Sequence, residues 1–293
     1  MKRKTFIKIT GLGILNLGLM ELNAFGKMIN SEGTDFEKMP VLFIGHGSPM
    51  NAIEDNEFTW MLKKTGKSLP RPKAILCISA HWLTDNTFVN ISRNPKMIYD
   101  MYGFPKELYE VDYPSKGSPE TAQMIQKLVS DDSILADNEW GYDHGTWAVM
   151  QHLFPQADIP LFQMSLDYHK PMQYHYELAQ ELVSLRQKGV LIVGSGNITH
   201  NLSIFDMSDM NAKPLDWALE FDSKVKYALE KGDHEALINY NKWGSAAKLA
   251  VPEPSHYLPL IYAIALQEND DDITYPYEGF HYASASMRCV RIG

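Results

Sequence analysis

Histidine dominates the metal-binding and proton-transferring potential of this chain. Ten histidines stand against two cysteines, Cys77 and Cys289. Any metal must therefore be held mainly by imidazole and carboxylate, and neither a four-cysteine zinc site nor a disulfide framework can be built. Three histidines follow short apolar runs. His46 comes after Val41-Leu42-Phe43-Ile44-Gly45, His81 directly after the run 73–80, and His200 after the run 189–196 by way of Asn197-Ile198-Thr199. Gly45 and Gly47 around His46, and Gly194 and Gly196 ahead of His200, predict backbone room for a ligand or a metal. Two more histidines have distinctive neighbours. His144 lies in Trp140-Gly141-Tyr142-Asp143-His144-Gly145, a Gly- and aromatic-rich loop that opens a helix, and His256 starts the last predicted helix after Pro252-Glu253-Pro254-Ser255. A helix N-terminus disfavours cationic imidazole and leaves a neutral ring free to bind metal. His152, His169, His175, His234 and His281 lie in polar or helical contexts and are expected at the surface or in structural roles.

Apolar runs at 41–44, 73–80, 159–166, 189–197 and 286–292 predict strands. Their apolarity is continuous rather than alternating, as in strands covered on both faces. Helices are predicted over 119–129, with Ser118 as N-cap, and over 171–186, 215–229 and 256–266. Alternating strands and helices imply an α/β fold, a single-domain layered sandwich with a central mostly parallel or mixed sheet flanked by helices. Ligands bind such sheets beyond the carboxyl ends of the strands. That is where His46, His81 and His200 fall.

The chain has 293 residues, 45% hydrophobic and 22% charged, with a formal net charge of −9. This composition belongs to a folded protein with a sizeable core. Net acidity without a basic tract argues against nucleic acid as a partner. The start is different: Lys2-Arg3-Lys4 precedes a short apolar stretch and a small-residue run near Ala24. This has the layout of an export signal and resembles a twin-arginine signal in which lysine replaces the second arginine. Residues 1–38 are read as a leader, an export signal or a disordered segment, and 39–293 as a single folded domain. A working leader places the protein in the periplasm or outside the cell, and an inactive, disordered one leaves it in the cytoplasm. No segment reaches the roughly 18 apolar residues of a stable membrane span.

Five motifs occur in order: Gly45-His46-Gly47-Ser48-Pro49-Met50, Ser79-Ala80-His81-Trp82, Gly141-Tyr142-Asp143-His144-Gly145, Gly194-Ser195-Gly196-Asn197-Ile198-Thr199-His200-Asn201-Leu202 and His256-Tyr257-Leu258-Pro259-Leu260. Together they resemble the class III extradiol ring-cleavage dioxygenases, in the 4,5-DOPA dioxygenase (LigB-like) branch, from about Pro40 to the C-terminus. The resemblance implies His46, His81 and His256 as metal ligands, with His200 as acid/base or fourth ligand. It implies His144 as a further active-site histidine. The protocatechuate-cleaving relatives have a glutamate as third ligand where this chain has His256. The implied cofactor is Fe(II), with Zn(II) as the alternative bound ion because an all-imidazole site suits it too. The implied partners are a small-molecule catechol and O2, and the product a ring-opened semialdehyde. Trp82, Tyr142, Trp147 and Tyr257 are candidates to wall a planar ring, and Asn197 or Asn201 to orient substrate or His200. The oligomeric state is left open.

Three other readings compete. A strand ending in Gly-His-Gly-Ser also resembles the class II chelatases, which leaves His81 and His256 unexplained. A zinc hydrolase needs a carboxylate base, and neither Asp143 nor Glu253 has H-E-x-x-H spacing. A non-catalytic metal-binding protein needs the ligands alone.

Overall fold

The apolar runs form the middle of an eight-stranded sheet. In the computed structural model the described residues are 37–129 and 133–293, so the predicted leader lies outside them except for Glu37 and Lys38. The strands are β1 (Val41–Gly45), β2 (Ala74–Thr84), β3 (Thr87–Asn90), β4 (Ile134–Asp137), β5 (Leu161–Asp167), β6 (Val190–Gly196), β7 (Ile273–Tyr277), β8 (Phe280–His281), β9 (Ala285–Ser286) and β10 (Cys289–Ile292). The large sheet has the order β4-β3-β5-β2-β6-β1-β10-β7, and β8 and β9 pair separately. The central strands β5, β2, β6 and β1 run parallel. The chain turns antiparallel where β3 meets β5 and where β10 joins β1 and β7. A mixed α/β layered sandwich is thus the observed fold.

The helices are α1 (Glu57–Ser68), α2 (Pro119–Leu128), α3 (His144–Leu153), α4 (Met172–Glu181), α5 (Asp216–Lys231), α6 (His234–Ile238), α7 (Ser245–Ala250) and α8 (Leu258–Ala265). Alternate strand residues feed two cores. Val41, Phe43, Leu76, Ile78 and Ile192 pack with α2, α4, α5 and α8 on one face. Leu42, Ile44, Ile75, Cys77 and Val193 pack with α1 and α3 on the other. Cover on both faces explains why these strands read as unbroken apolar runs. Among the described residues, no helix is long and apolar enough to cross a membrane.

Several boundaries differ from expectation. The segment expected as one helix over 171–186 is α4 followed by a 3-10 turn, Val183–Lys188, which ends at Gly189 with φ +78°. The last predicted helix is a 3-10 turn, Pro254–His256, followed by α8. Strand β2 continues past Ala80, so His81 lies within a strand rather than after it. Its register against β5 slips there: Ile78 pairs with Met164, but Leu83 is already opposite Leu166. Such a bulge re-aims side chains, and this one is centred on His81.

Away from the strand ends that carry the histidines, Arg186 is fully buried. Its Nε donates to the Met39 carbonyl at 2.8 Å and its Nη1 to the Leu266 carbonyl at 2.8 Å, while Nη2 donates to Asp271 Oδ1 at 2.9 Å. One guanidinium thus joins the entry to β1, the end of α8 and the turn before β7. Burial alone would raise the Asp271 carboxyl, but hydrogen bonds from Arg186, the Glu268 N–H and Lys38 outweigh it and hold the group at about 2 against an ordinary 3.8. A carboxylate depressed by folding stabilises above its unfolded value, and that stabilisation disappears as pH falls through the folded one. Asp271→Ala takes from a buried guanidinium its nearer counter-charge and leaves, among the described residues, only Glu268 Oε2 at 3.6 Å, for an expected cost of up to about 3–5 kcal/mol. Urea unfolding should show this deficit at pH 7 and a shrinking one as pH drops from about 4 towards 2. Equal stability of the two proteins at pH 7 would refute the assignment.

Candidate metal centre

Five histidines meet at the carboxyl edge of the parallel strands. His46 follows β1 with a ring 3% exposed, and His81 comes from the β2 bulge. His144 is the first residue of α3, His200 follows β6, and His256 ends the 3-10 turn before α8. One ligand atom each from His46, His81 and His256 lies within 4.8 Å of the others. His46 Nε2 and His81 Nε2 are 3.3 Å apart. His200 is not in this set but stacks face to face on His256, with centroids 3.5 Å apart and an interplanar angle of 3°. His144 packs against His81 with centroids at 3.9 Å.

The hydrogen bonds behind the rings fix where their protons sit. Ser195 Oγ donates its only proton to the Gly145 carbonyl at 2.5 Å, so it accepts from His46 Nδ1 at 2.9 Å. Ser255 Oγ donates to the Glu253 carboxylate, so it accepts from His256 Nδ1 at 3.2 Å. His81 Nδ1 faces Asp100 Oδ2 at 3.2 Å, and a carboxylate oxygen has no proton to give. Each neutral ring therefore carries its proton on Nδ1 and presents a bare Nε2. His256 Nε2 is buried without a partner, and the nitrogens of His46 and His81 that face each other at 3.3 Å are both lone pairs. Three converging lone pairs with no proton among them suit a cation. The neutral imidazole donor set fits a divalent transition metal.

The electrostatics favour the same state. Burial, followed by the neighbouring imidazoles, holds His46 and His256 well below the usual histidine range. Burial and His144 do the same to His81 against the pull of Asp100. Burial and His144 bring His200 to about 4. Crowded, dry imidazoles stay neutral, as ligands must.

The local sequence explains these placements. Asp143 caps α3, accepting from the Thr146 N–H at 3.1 Å, while Ser79 Oγ and Gln163 Nε2 donate to it, each at 2.7 Å. This fully buried carboxylate, pushed up by burial and by Asp100, pins the start of α3, and so His144, to β2 and β5. The flanking glycines act otherwise than expected. A Cβ on Gly196 would lie 2.2 Å from the His256 carbonyl oxygen, and one on Gly194 2.4 Å from that of Pro259. They make room for the His256 segment against β6, where the Asn197 N–H donates to the His256 carbonyl at 2.8 Å. Gly45 likewise admits the backbone of Met287. The space goes to neighbouring chain, not to ligand.

Several expected substrate contacts lie elsewhere. Trp82 is buried and stacked on Trp140. Tyr257 lies in the core beside Tyr240, with its hydroxyl donating to the Leu237 carbonyl. Tyr142 and Trp147 are also buried, donating to the carbonyls of Leu161 and Ile98. Asn197 Nδ2 donates to the Ser286 carbonyl at 2.9 Å, and its Oδ1 accepts the Gly47 N–H, so it ties loops together. Asn201 Nδ2 is spent on the Leu249 carbonyl. The aromatic ring seen beside His200 is Phe205, in edge contact at 5.7 Å. Sequence reading missed Asp100, whose Oδ1 lies 3.0 Å from His144 Nδ1 and accepts the His144 N–H at 2.9 Å. Burial would raise the Asp100 carboxyl, yet His144 and His81 hold it at about 2. The five histidines outside the motifs stay out of the cluster. His175, for example, is buried between Tyr262 and the Asp167 carbonyl.

Residues 38–287 match the family described as the catalytic LigB subunit of aromatic ring-opening dioxygenase. The chain is 42% identical over 260 residues to the 4,5-DOPA dioxygenase extradiol of Escherichia coli K12, covering 87% of this chain and 95% of that one. It is 39% identical to the protein of the same name from Beta vulgaris, covering 78% and 87%. A crystal structure of an uncharacterized Escherichia coli K12 protein superposes with a TM-score of 0.76 at 38% identity, over 87% of this chain and all of the other. The chain belongs to the LigB family of metal-dependent aromatic ring-opening dioxygenases.

The close approach at Gly196 gives a test of the centre. Gly196→Ala must push the His256 segment away, for an expected overpacking cost of about 1–3 kcal/mol. It should also weaken divalent-metal binding, measured by competition with a chromophoric chelator. A folded variant with unchanged affinity would show that this contact does not set the position of His256.

Proposed function

We propose that the chain is an extradiol dioxygenase that opens the ring of a DOPA-like catechol, with Fe(II) held by His46, His81 and His256. The observation carrying this reading is the set of three bare Nε2 atoms at one edge of the sheet, with two further imidazoles, His144 and His200, against it. The names of the relatives support the substrate class. Bound Fe(II) supplies the Lewis acidity that acidifies a catechol hydroxyl and the redox couple linking catechol to O2, a couple Zn(II) lacks. The chain supplies the rest. His46, His81 and His256 would hold the ion through their converging nitrogens. His144 and His200 take up the proton released when the second hydroxyl ionises and return it as the ring opens, His200 as the principal acid/base. Phe205 presents an apolar edge beside His200 for a planar substrate. Both oxygen atoms of O2 enter the product, a ring-opened semialdehyde.

The same reading takes residues 39–293 as the catalytic domain and 1–38 as a leader. The basic start and short apolar stretch of that leader support export.

Anaerobic loading with Fe(II), followed by a small catechol panel that includes DOPA, tests the function. Oxygen uptake should accompany a yellow ring-opened product. The Zn(II)-loaded protein should be inactive, and chelation should abolish turnover until Fe(II) is restored. His200→Ala should lower kcat by about 10²- to 10⁴-fold without loss of metal. No turnover of any catechol at verified Fe(II) occupancy would overturn the proposal.

A further inference from the structure

Asp100 stands apart from the other groups behind the histidines because it faces two of them. Ser195 serves His46 alone, and the Ser255–Glu253 pair serves His256 alone. Asp100 reaches His81 Nδ1 with Oδ2 at 3.2 Å and His144 Nδ1 with Oδ1 at 3.0 Å. Its Oδ1 also accepts the His144 backbone N–H at 2.9 Å. The two rings it serves are in contact, their centroids 3.9 Å apart. The carboxylate arrives on the loop between β3 and α2, which is fixed next to α3 by the Ile98 N–H donating to the Tyr142 carbonyl at 2.8 Å and the Tyr142 N–H donating to the Lys96 carbonyl at 2.8 Å. A small, anchored anion therefore sits between a ring of the metal set and a ring outside it.

We propose that Asp100 is a positioning residue that couples the metal ligand His81 to His144. Its charge, 3.2 Å from His81 Nδ1 and 3.0 Å from His144 Nδ1, favours the Nδ1–H form of each ring although His144 Nδ1 makes no aligned hydrogen bond, and so turns a bare Nε2 of His81 to the metal and leaves the Nε2 of His144 without a proton. The geometry requires both carboxylate oxygens. An isosteric amide has one acceptor and one donor, and so can serve one ring in this way but not both. A carboxylate or carbonyl behind a metal-bound histidine is a general means of fixing ring orientation and tautomer. Here one carboxylate does it for two rings at once, so disturbing it must show in metal affinity and in turnover together. The part concerning turnover rests on the dioxygenase reading; the part concerning metal does not.

The test uses the full chain with Zn(II) and Fe(II) as probes and the variants Asp100→Asn and His144→Ala. Asp100→Asn should weaken metal binding by about 10- to 100-fold in chelator competition, with a thermal melt showing that the variant is folded. With catechol and saturating Fe(II), its kcat should fall while KM stays within about twofold, and most of the fall should vanish in the His144→Ala background because the coupled partner is already gone. In the metal-free wild type, long-range ¹H–¹⁵N correlation should find His81 and His144 protonated on Nδ1, a readout that needs neither turnover nor a stable variant. A folded Asp100→Asn protein with unchanged metal affinity, an Nε2–H tautomer for His81, or strictly additive kcat losses would each overturn the proposal. If no catechol is turned over by the wild type, the dioxygenase reading fails, and the metal and tautomer measurements still decide the role of Asp100.

Discussion

Three bare imidazole nitrogens within 4.8 Å of one another are held together against their own preference. Lone pairs that face each other gain nothing in the absence of a cation, so the rings must be fixed from behind. Each is fixed by a group from a different part of the chain: Ser195 on β6, Asp100 on the loop before α2, and Ser255 with Glu253 in the turn before α8. None of the three supporting atoms has a proton to give to Nδ1, so all three tautomers agree. Preorganisation of this kind lowers the cost of assembling a site when metal arrives.

The fold delivers these supports because parallel strands end together. β1, β2 and β6 bring His46, His81 and Ser195 to one edge, while α3 and the turn before α8 approach that edge from opposite faces of the sheet. Close approach is permitted where side chains are missing. Gly194 and Gly196 let the His256 segment lie against β6, and Gly145 lies where a Cβ would meet Ser79 Oγ at 2.6 Å. Away from this edge, the Arg186 guanidinium fixes the entry to β1 relative to the end of α8. Both of these elements carry or adjoin a histidine of the set, so a contact outside the site constrains its geometry.

Much of this was legible in the sequence. Two-faced burial writes itself as continuous apolarity, so the central strands stood out, as did the histidines beside them. The strands on the flanks of the sheet did not. β3 (Thr-Phe-Val-Asn), second from one edge, is short and half polar, β4 (Ile-Leu-Ala-Asp), at that edge, has four residues of which only Ile134 is buried, and β7 carries Pro276, which is tolerated at the other edge where it lies. The strand-end rule misplaced His81 by assuming that β2 stops where its apolar run stops, whereas a bulge carries the strand onward. Tyr257 and Trp82 adjoin His256 and His81 in sequence but face away from them, because neighbours along a strand or in a turn point in different directions. Asp100 left no periodic trace. It acts from a loop, its partners are 19 and 44 residues away in sequence, and only the folded chain brings them together.

Charge at the centre is distributed differently from what the ligands alone imply. Non-haem iron oxygenases commonly bind the metal with two histidines and one carboxylate, which places an anion directly on the ion. Three imidazole ligands would leave the full double charge of a divalent metal on the centre. In this chain two carboxylates, Asp100 and Glu253, stand one group behind His81 and His256. They offset part of that charge through the ring or hydroxyl between them, and an imidazole whose Nδ1–H meets an acceptor is the stronger donor for it. The anion is thereby withdrawn from the coordination sphere but kept in the field. A site arranged so retains more net positive charge at the metal face than a carboxylate-ligated one, which favours a substrate that binds as an oxyanion. On the proposed reading, a preference for ionised catechol and a histidine at the third ligand position would both follow from one electrostatic arrangement.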